Sequence, residues 1–385
     1  MDGESEQRPK LSLAAHGAIA DIGREPWEAC ASASGNPFVS YEFLSALEDA
    51  GCVRPEAGWA PRHLTATDET GRVTGVMPLY LKGHSQGEYV FDHAWADAFE
   101  RAGGEYYPKL LAAVPFTPAT GPRLLAADAE TRDRLLAGAI GLGRQLGVSS
   151  LHVNFPVREE WAAMTASGLL ARQDIQYWWT NEEYADFDEF LGALSSSRRK
   201  TIRRERREAQ AEVEIEVLSG ADIEEAHWDA FFAFYMDTGS RKWGRPYLNR
   251  RFFSLVGERM SGRIALVMAR RGGRWIAGAL NFIGDHALYG RQWGAIEHVP
   301  FLHFELCYYQ AIQFAIARGL KRVEAGAQGE HKLARGYLPH PVYSAHWIAD
   351  PGLRAAVAEY LSRERPAVEA EMGVLEAEFS PFRRG

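Results

Sequence analysis

Residues 323–347 read VEAGAQGEHKLARGYLPHPVYSAHW, and the middle of that stretch holds more reactive side chains than a hairpin needs. Glu330 and His331 are types that can take a proton, directly or through water. Lys332 and Arg335 are cations suited to a phosphate or carboxylate, and Tyr337 adds a phenol. Gly326 and Gly329, lacking Cβ atoms, let a ligand approach the backbone. Glu330, His331, Arg335 and Tyr337 are the candidate catalytic residues, and Lys332 is a candidate substrate ligand. The competing reading is a well-ordered loop whose charges pair internally and pin the last hairpin.

A second concentration is RRKTIRRERR, residues 198–207, with seven Lys or Arg in ten positions. On a helix most of them share one broad arc beside a narrow seam of Leu191, Ile202 and Ala209. Such density repels itself unless anions offset it, so Arg203 and Arg204 are candidate phosphate ligands. A solvated face paired with Glu205 and Glu208 is the plainer alternative. Further on, Tyr289, Arg291 and Trp293 alternate along a strand, which places them on one side. His303 and Glu305 then open an apolar helix whose N-terminus favours negative charge. Arg291, Trp293 and His303 are the candidates there, Trp293 with packing as the stronger alternative.

In the first half, FDHAWADAFERAGGEYYPKL gathers carboxylates, tyrosines and Lys109. Asp97, Tyr107 and Lys109 are candidate ligands for a cationic or hydroxylated acceptor, beside the alternative of a helix capped by Asp92 or Asp97 and stopped at Gly103-Gly104. Arg241, in SRKWGRPY, could clamp a substrate next to Trp243. No H-E-x-x-H or H-x-H occurs, so no metal site is expected. No G-x-S-x-G elbow occurs either.

These groups need a scaffold. A chain of 385 residues is longer than one hydrophobic core usually organises. Hydrophobic residues at 46% and charged residues at 24% fit an ordinary soluble globular protein. No apolar run reaches the roughly 18 residues of a membrane span, and MDGESEQRPK lacks a signal peptide's basic head and apolar region. A cytoplasmic protein is expected. Cys30, Cys52 and Cys307 are odd in number and far apart, against a disulfide framework. The net charge of −8 gives no general attraction to nucleic acid, and no DNA partner is expected.

The chain reads as two passes through one plan: helices, consecutive strands, a long helix, another strand. Strand-like runs lie at 62–68, 72–83, 87–92 and 149–156, with a helix over 128–146. In the second half, 211–218 reads as a strand, 222–242 as a helix and 264–294 as three strands turning at Gly272-Gly273 and Gly284-Asp285. A buried helix at 303–319, strands at 321–326 and 342–349, and a charged helix over 352–379 complete it. The boundary between halves falls near 180.

That order, with NPFVSYEFLSALEDAG (36–51), FDHAWADAFERAGGEYYPKLLAAVPFTPATGPRLL (91–125), SSSRRKTIRRERREA (195–209), RKWGRPYLNRRFF (241–253) and the 323–347 stretch, resembles the acyl-CoA N-acyltransferase (GNAT) superfamily. More narrowly it resembles the Fem-like tandem-GNAT branch of peptidoglycan biosynthesis or recognition. The resemblance covers nearly the whole chain. It implies an α/β fold, layered as α+β, of two tandem GNAT-like domains, each a mixed, largely antiparallel sheet flanked by helices. Residues 1–180 would form the acceptor side of a cleft, and 181–385 would carry the basic helix, donor site and catalytic loop.

The implied activity is transfer of an acyl or aminoacyl group to an amine acceptor, a peptidoglycan precursor or related metabolite. Acyl-CoA or aminoacyl-tRNA is then the donor, tRNA entering only in that role, and no tightly bound cofactor is expected. Such transfer needs an uncharged amine, a proton acceptor and donors for the developing oxyanion. CoA-using members carry an R/Q-x-x-G-x-G/A loop for pyrophosphate. Here Arg291-Gln-Trp-Gly294 begins it, which adds Gly294 as a candidate, but Pro300 and Phe301 stand where the second glycine would follow. LARGY (333–337) is similar to the F-K-x-G-F piece of Fem ligases, with Arg335 in the lysine's place. PFTPATGPRLL (115–125) resembles their R-G-P piece and marks Arg123 as an acceptor-site candidate. The alternative implied by the same resemblance is a catalytically degenerate GNAT-fold protein that binds a cell-wall precursor or nucleotide-linked ligand.

Overall fold

The computed structural model describes residues 11–241, 246–326 and 329–383, without the side chains of Arg241 and Glu330. The roles expected for those two side chains, and for Trp243, lie outside the described residues.

The strands are β1 (Ser12–His16), β2 (Trp59–Pro61), β3 (His63–Thr67), β4 (Val73–Met77), β5 (Tyr80–Lys82), β6 (Lys109–Ala112), β7 (Leu125–Ala126) and β8 (Ser150–Asn154). They continue as β9 (Leu170–Thr180), β10 (Glu214–Leu218), β11 (Ile264–Arg271), β12 (Arg274–Ile283), β13 (Ala287–Ala295), β14 (Arg322–Glu324) and β15 (Leu338–Ile348). A small antiparallel sheet has the order β1-β3-β4-β7. The large sheet runs β10-β11-β12-β13-β14-β9-β15-β8-β6-β5-β2.

Two neighbours in that sheet are parallel, β6 with β8 and β13 with β14. A parallel pair needs a crossover, normally a helix. Helix Ala129–Leu146 makes the first and residues 302–317 make the second. Each half therefore repeats strands, crossover helix and parallel strand. The halves also exchange strands. β9 lies between β14 and β15, and β15 pairs with β8 at Ala345↔Val153 and His346↔His152. One continuous sheet joins the two halves.

Three local expectations change. The run 72–83 is not one strand: Pro78 has no N–H to give a ladder, and the chain passes there from β4 in the small sheet to β5 in the large one. Residues 87–92 form no strand; Gly87 and Tyr89 have φ of 78° and 59°, which turns Glu88 and Asp92 inward to Lys109. The buried helix at 302–317 is not uniformly α but carries a π-helical stretch, Glu305–Tyr309. Its apolar face, with Tyr309, Ile312, Ala315 and Ile316, packs on Val323 and Leu288 in one core cluster. The closing helix, Pro351–Phe379, is capped by the Asp350 side chain.

Candidate functional site

The two parallel strands of the second half pair only briefly. Leu288 faces Val323 and Tyr289 faces Glu324. Beyond that, β13 stays with β12 to Ala295. The chain leaving β14 stays with β9, where the Ala325 N–H donates to the Tyr177 carbonyl at 3.2 Å and the Tyr177 N–H to Gly326 at 3.3 Å. A wedge opens between them, and a cavity of about 120 Å³ fills it, lined by Asn281, Gly290, Trp293, His303, Tyr308 and Ala325 among others. On its β14 side, β13 has no strand partner past Tyr289 among the described residues. That edge offers main-chain groups to a ligand.

Tyr289, Arg291 and Trp293 do not share a side as the alternation predicts. Asn281 pairs with Gly290 but Leu280 with Gln292, so Arg291 is an extra, bulged residue and the parity inverts across it. Tyr289 packs against Phe38 with ring centres 5.0 Å apart. Trp293 lies on the opposite face against His303, at 5.1 Å. Arg291 reaches across to the first half, donating to the Phe116 carbonyl at 2.7 Å. Gly294 is close-packed: a Cβ there would sit 2.2 Å from the Phe234 carbonyl oxygen. It seats helix Glu225–Arg241 on β13, and that contact is its physical reason, with no opening for pyrophosphate.

Glu324, which the sequence reading passed over, ends β14 opposite Tyr289, in the last residue pair the two parallel strands make. It is 3% exposed. Arg322 Nε donates to its Oε1 at 2.8 Å, while its Oε2 has no hydrogen-bond partner among the described residues. Burial pushes its carboxyl up to about 7, against the pull of Arg322, the Thr120 main-chain amide and Arg291. In the sequence it is one charged letter in a short strand, two residues from the arginine that pairs it.

The polar loop is largely scaffold. Arg335 donates to both oxygens of Glu205 at 2.9 Å, and its guanidinium stacks 3.4 Å from the Phe304 ring. Tyr309 also donates to Glu205. Lys332 is 4% exposed and donates to the Ala325 and Gly326 carbonyls at 2.6 and 3.0 Å; burial pulls its amine down to about 8. Tyr337 is fully buried, its hydroxyl on the Tyr308 carbonyl at 3.3 Å. These pairings hold Arg335, Tyr337 and Lys332 within the loop's own scaffold. His331 stands beside Tyr308, which lines the cavity, its Nε2 3.0 Å from the Tyr308 hydroxyl, and burial with Arg335 and Lys332 nearby pushes its imidazole below the usual range.

The basic helix, Ser196–Gln210, packs against this loop through Glu205 and against the wedge helix through Arg206, which pairs with the buried Glu305 at 3.2 Å. Glu305 therefore answers an arginine instead of opening the helix for an anion. Exposed Arg203 pairs with Asp188 at 2.9 Å. Arg204 lies 3.8 Å from Glu208 and 6.0 Å from the Phe301 ring, at the first turn of the wedge helix. Arg198, Arg199, Lys200 and Arg207 have no ion-pair partner among the described residues. Arg203, Arg206 and Arg207 edge a groove of about 820 Å³ floored by Phe187, Leu191 and Ile316.

The first-half candidates do not assemble an acceptor site. Lys109 is fully buried and held by Ser85, Glu88 and Asp92. Tyr107 bonds Ser85 at 2.9 Å, and Asp97 is exposed on the outer face of its helix. Arg123 is fully buried with its guanidinium on the carbonyls of Ala119, Gly121, Pro122 and Asn154. For Lys109 and Arg123 the cause is one: a charge inside a fold must be paired, and the nearest groups pair it. A network continues from Asp92 through Tyr106 to His152 and on to His346, whose Nδ1 is 2.6 Å from that of His152. Among the described residues no cluster of histidine, cysteine and carboxylate side chains could hold a metal, and no helix is long and apolar enough to cross a membrane.

A family model, FemAB-like, described as peptidoglycan biosynthesis/recognition, matches residues 18–384. No curated protein matches the chain. Among solved structures, FemX is similar with a TM-score of 0.54 at 11% identity, over 91% of this chain and all of that one. The C-terminal domain of a putative lysylphosphatidylglycerol synthetase from Agrobacterium fabrum gives 0.54 at 10% identity, over 88% and 96%. L-PGS from Bacillus licheniformis gives 0.50 at 9%, over 85% and 98%. At such identities the likeness concerns the fold, a mixed sheet flanked by helices.

Proposed function

This chain belongs to the FemAB-like family, and from that premise we propose that it is an N-acyltransferase whose chemistry takes place in the wedge between β13 and β14. The observation that carries this reading is the splay of two parallel strands around a cavity, with one wall a strand edge that has no strand partner among the described residues, and with the buried Glu324 in the last residue pair before the splay. The donor's carbonyl lies against the open edge of β13, where main-chain N–H groups receive the oxyanion. The acceptor amine comes from the opposite side, where Glu324 and Arg291 face the first half.

The amine nitrogen attacks the carbonyl carbon and a tetrahedral oxyanion forms. Glu324 takes the proton the nitrogen loses, and the intermediate collapses to an amide. The leaving group, a thiol from acyl-CoA or a ribose hydroxyl from aminoacyl-tRNA, departs with a proton. Atoms balance as acyl–X plus amine giving amide plus HX. Either donor carries phosphate. Arg204 stands beside the first turn of the 302–317 helix and Arg207 has no ion-pair partner among the described residues, which makes the basic helix the seat for that phosphate. The filled positions at Gly294 and Phe301 favour this seat over a glycine loop. The family's description supports an acceptor drawn from cell-wall precursors or related metabolites.

Incubation of the purified protein with labelled acyl-CoA or charged tRNA and an amine panel tests this. The expected result is labelled amide whose formation needs Glu324. A second reading, binding without turnover, draws on the pairing of Arg335, Lys332 and Tyr337 within the scaffold. Saturable ligand binding with no amide from any donor would favour it.

A further inference from the structure

Both halves contain a parallel strand pair, and in the first half a loop folds back against its end. There β6 and β8 pair from Leu110↔Leu151 to Ala112↔Val153. Beyond that pair, Gly121 N–H donates to the Phe155 carbonyl at 3.1 Å and Arg123 Nε to the Asn154 carbonyl at 2.9 Å. The buried Arg123 guanidinium also donates to the Ala119, Gly121 and Pro122 carbonyls. Four carbonyl oxygens around one rigid, planar fork fix the path of residues 119–123. Gly121 leaves no slack, since a Cβ there would stand 2.2 Å from Asn36 Nδ2.

The same loop meets the strands of the second half's sheet. Arg291 of β13 donates to the Phe116 carbonyl at 2.7 Å, and Gln176 Nε2 of β9 to the Pro118 carbonyl at 2.8 Å. Phe116 has a left-handed φ of 57°, which a residue other than glycine keeps only where its surroundings hold it. Burial raises the Glu324 carboxyl, and the groups that pull it back include the Thr120 main-chain amide and Arg291. Arg322 on its own strand and Tyr289 on β13 are the other groups that act on it.

We propose that Arg123 is a positioning residue for the transfer site, holding residues 115–122 as a strut that sets Arg291 and the Thr120 amide against Glu324. The proposal rests on the transfer reading for the role of Glu324 as base; the strut itself is a property of the loop. Lysine keeps the charge of Arg123 but lacks the fork, so Arg123→Lys slackens the loop without changing the local charge. Both loop-dependent groups favour the carboxylate, and their retreat moves its titration upward.

The test uses the full-length protein labelled with glutamate carrying carbon-13 in the side-chain carboxyl. The signal missing from Glu324→Gln assigns the residue, and its midpoint is followed by NMR over the pH range where circular dichroism shows the fold intact. Arg123→Lys should raise that midpoint by about one pH unit, and the rising limb of amide formation should move with it. Gln176→Leu, which frees the Pro118 carbonyl, should give a smaller shift in the same direction. A loss of stability alone moves neither reading. Unchanged midpoints in both variants would overturn the strut, and Gln176→Leu decides by itself should Arg123→Lys fail to fold. Shifted midpoints with no amide from any donor would remove the transfer reading and leave the strut. Amide formed by both variants with the wild-type midpoint and pH profile would do the reverse.

Discussion

A single carboxylate illustrates how environment assigns a role. Glu324 has a titratable range raised to about 7 because burial disfavours its charge more than Arg322 and the Thr120 amide favour it. A base with such a value is half available near neutrality, so turnover should rise with pH through about 7. Glu324→Gln should lower kcat/KM by about 10²–10⁴-fold and erase that rising limb; a retained limb in the variant would assign the proton to another group. The sign of the stability effect is opposite. The raised value means the folded chain binds this proton more tightly than the unfolded one. The protonated side chain is tolerated below the unfolded value, and stability is lost as pH rises from there through about 7. At pH 8 the glutamine variant should therefore unfold at higher urea than the wild type, by up to about 3 kcal/mol, with the gain vanishing at pH 4.

At the scale of elements, the arginine-dense helix and the glycine-punctuated loop do border one region, but they are joined by a pair instead of a ligand. Arg335 and Glu205 are both buried and bonded through two oxygens. Removing one partner of such a pair strands the other charge and typically costs about 3–5 kcal/mol. Arg335→Met should lose that much in chemical denaturation. The double variant Arg335→Met, Glu205→Gln should recover a large part of it. If Arg335→Met instead kept full stability and lost turnover, the arginine would act on substrate. The helix's other face is different: Arg198, Lys200 and Arg207 are exposed without ion pairs among the described residues, as a phosphate seat requires.

For the whole molecule the strand exchange is decisive. β9 completes the sheet of the second half and β15 that of the first, with His346 bonded to His152 across the junction. Neither half can bury its strands without the other's contribution, so unfolding should be a single cooperative transition by near-UV circular dichroism and fluorescence. Fragments 1–180 and 181–385 should be insoluble or unfolded when expressed apart, and should recover structure when co-expressed. Two independent transitions, or a stable isolated half, would contradict that picture.

Much of this was legible in residue order. The alternation over 264–294, the glycine turns and the apolar helix fixed three antiparallel strands and a crossover, because the burial of one face imposes a period that any reader of the chain can see. The motif resemblance carried the tandem plan and the family. What the sequence could not reveal was pairing in space. A bulge at Arg291 is one unpaired residue in a ladder, invisible in the pattern of types, yet it sends Tyr289 and Trp293 to opposite faces. Lys109 and Arg335 look reactive along the chain because the carboxylates that pair them stand 17 and 21 positions away for Lys109 and 130 away for Arg335. Glu324 looks unremarkable as one letter in a strand, and only the fold withholds a partner from one of its oxygens. Local periodicity is written in neighbouring residues, so the sequence by itself determined the elements. Desolvation and charge compensation depend on which distant groups the fold brings together, so tertiary structure alone decided which side chains face the wedge.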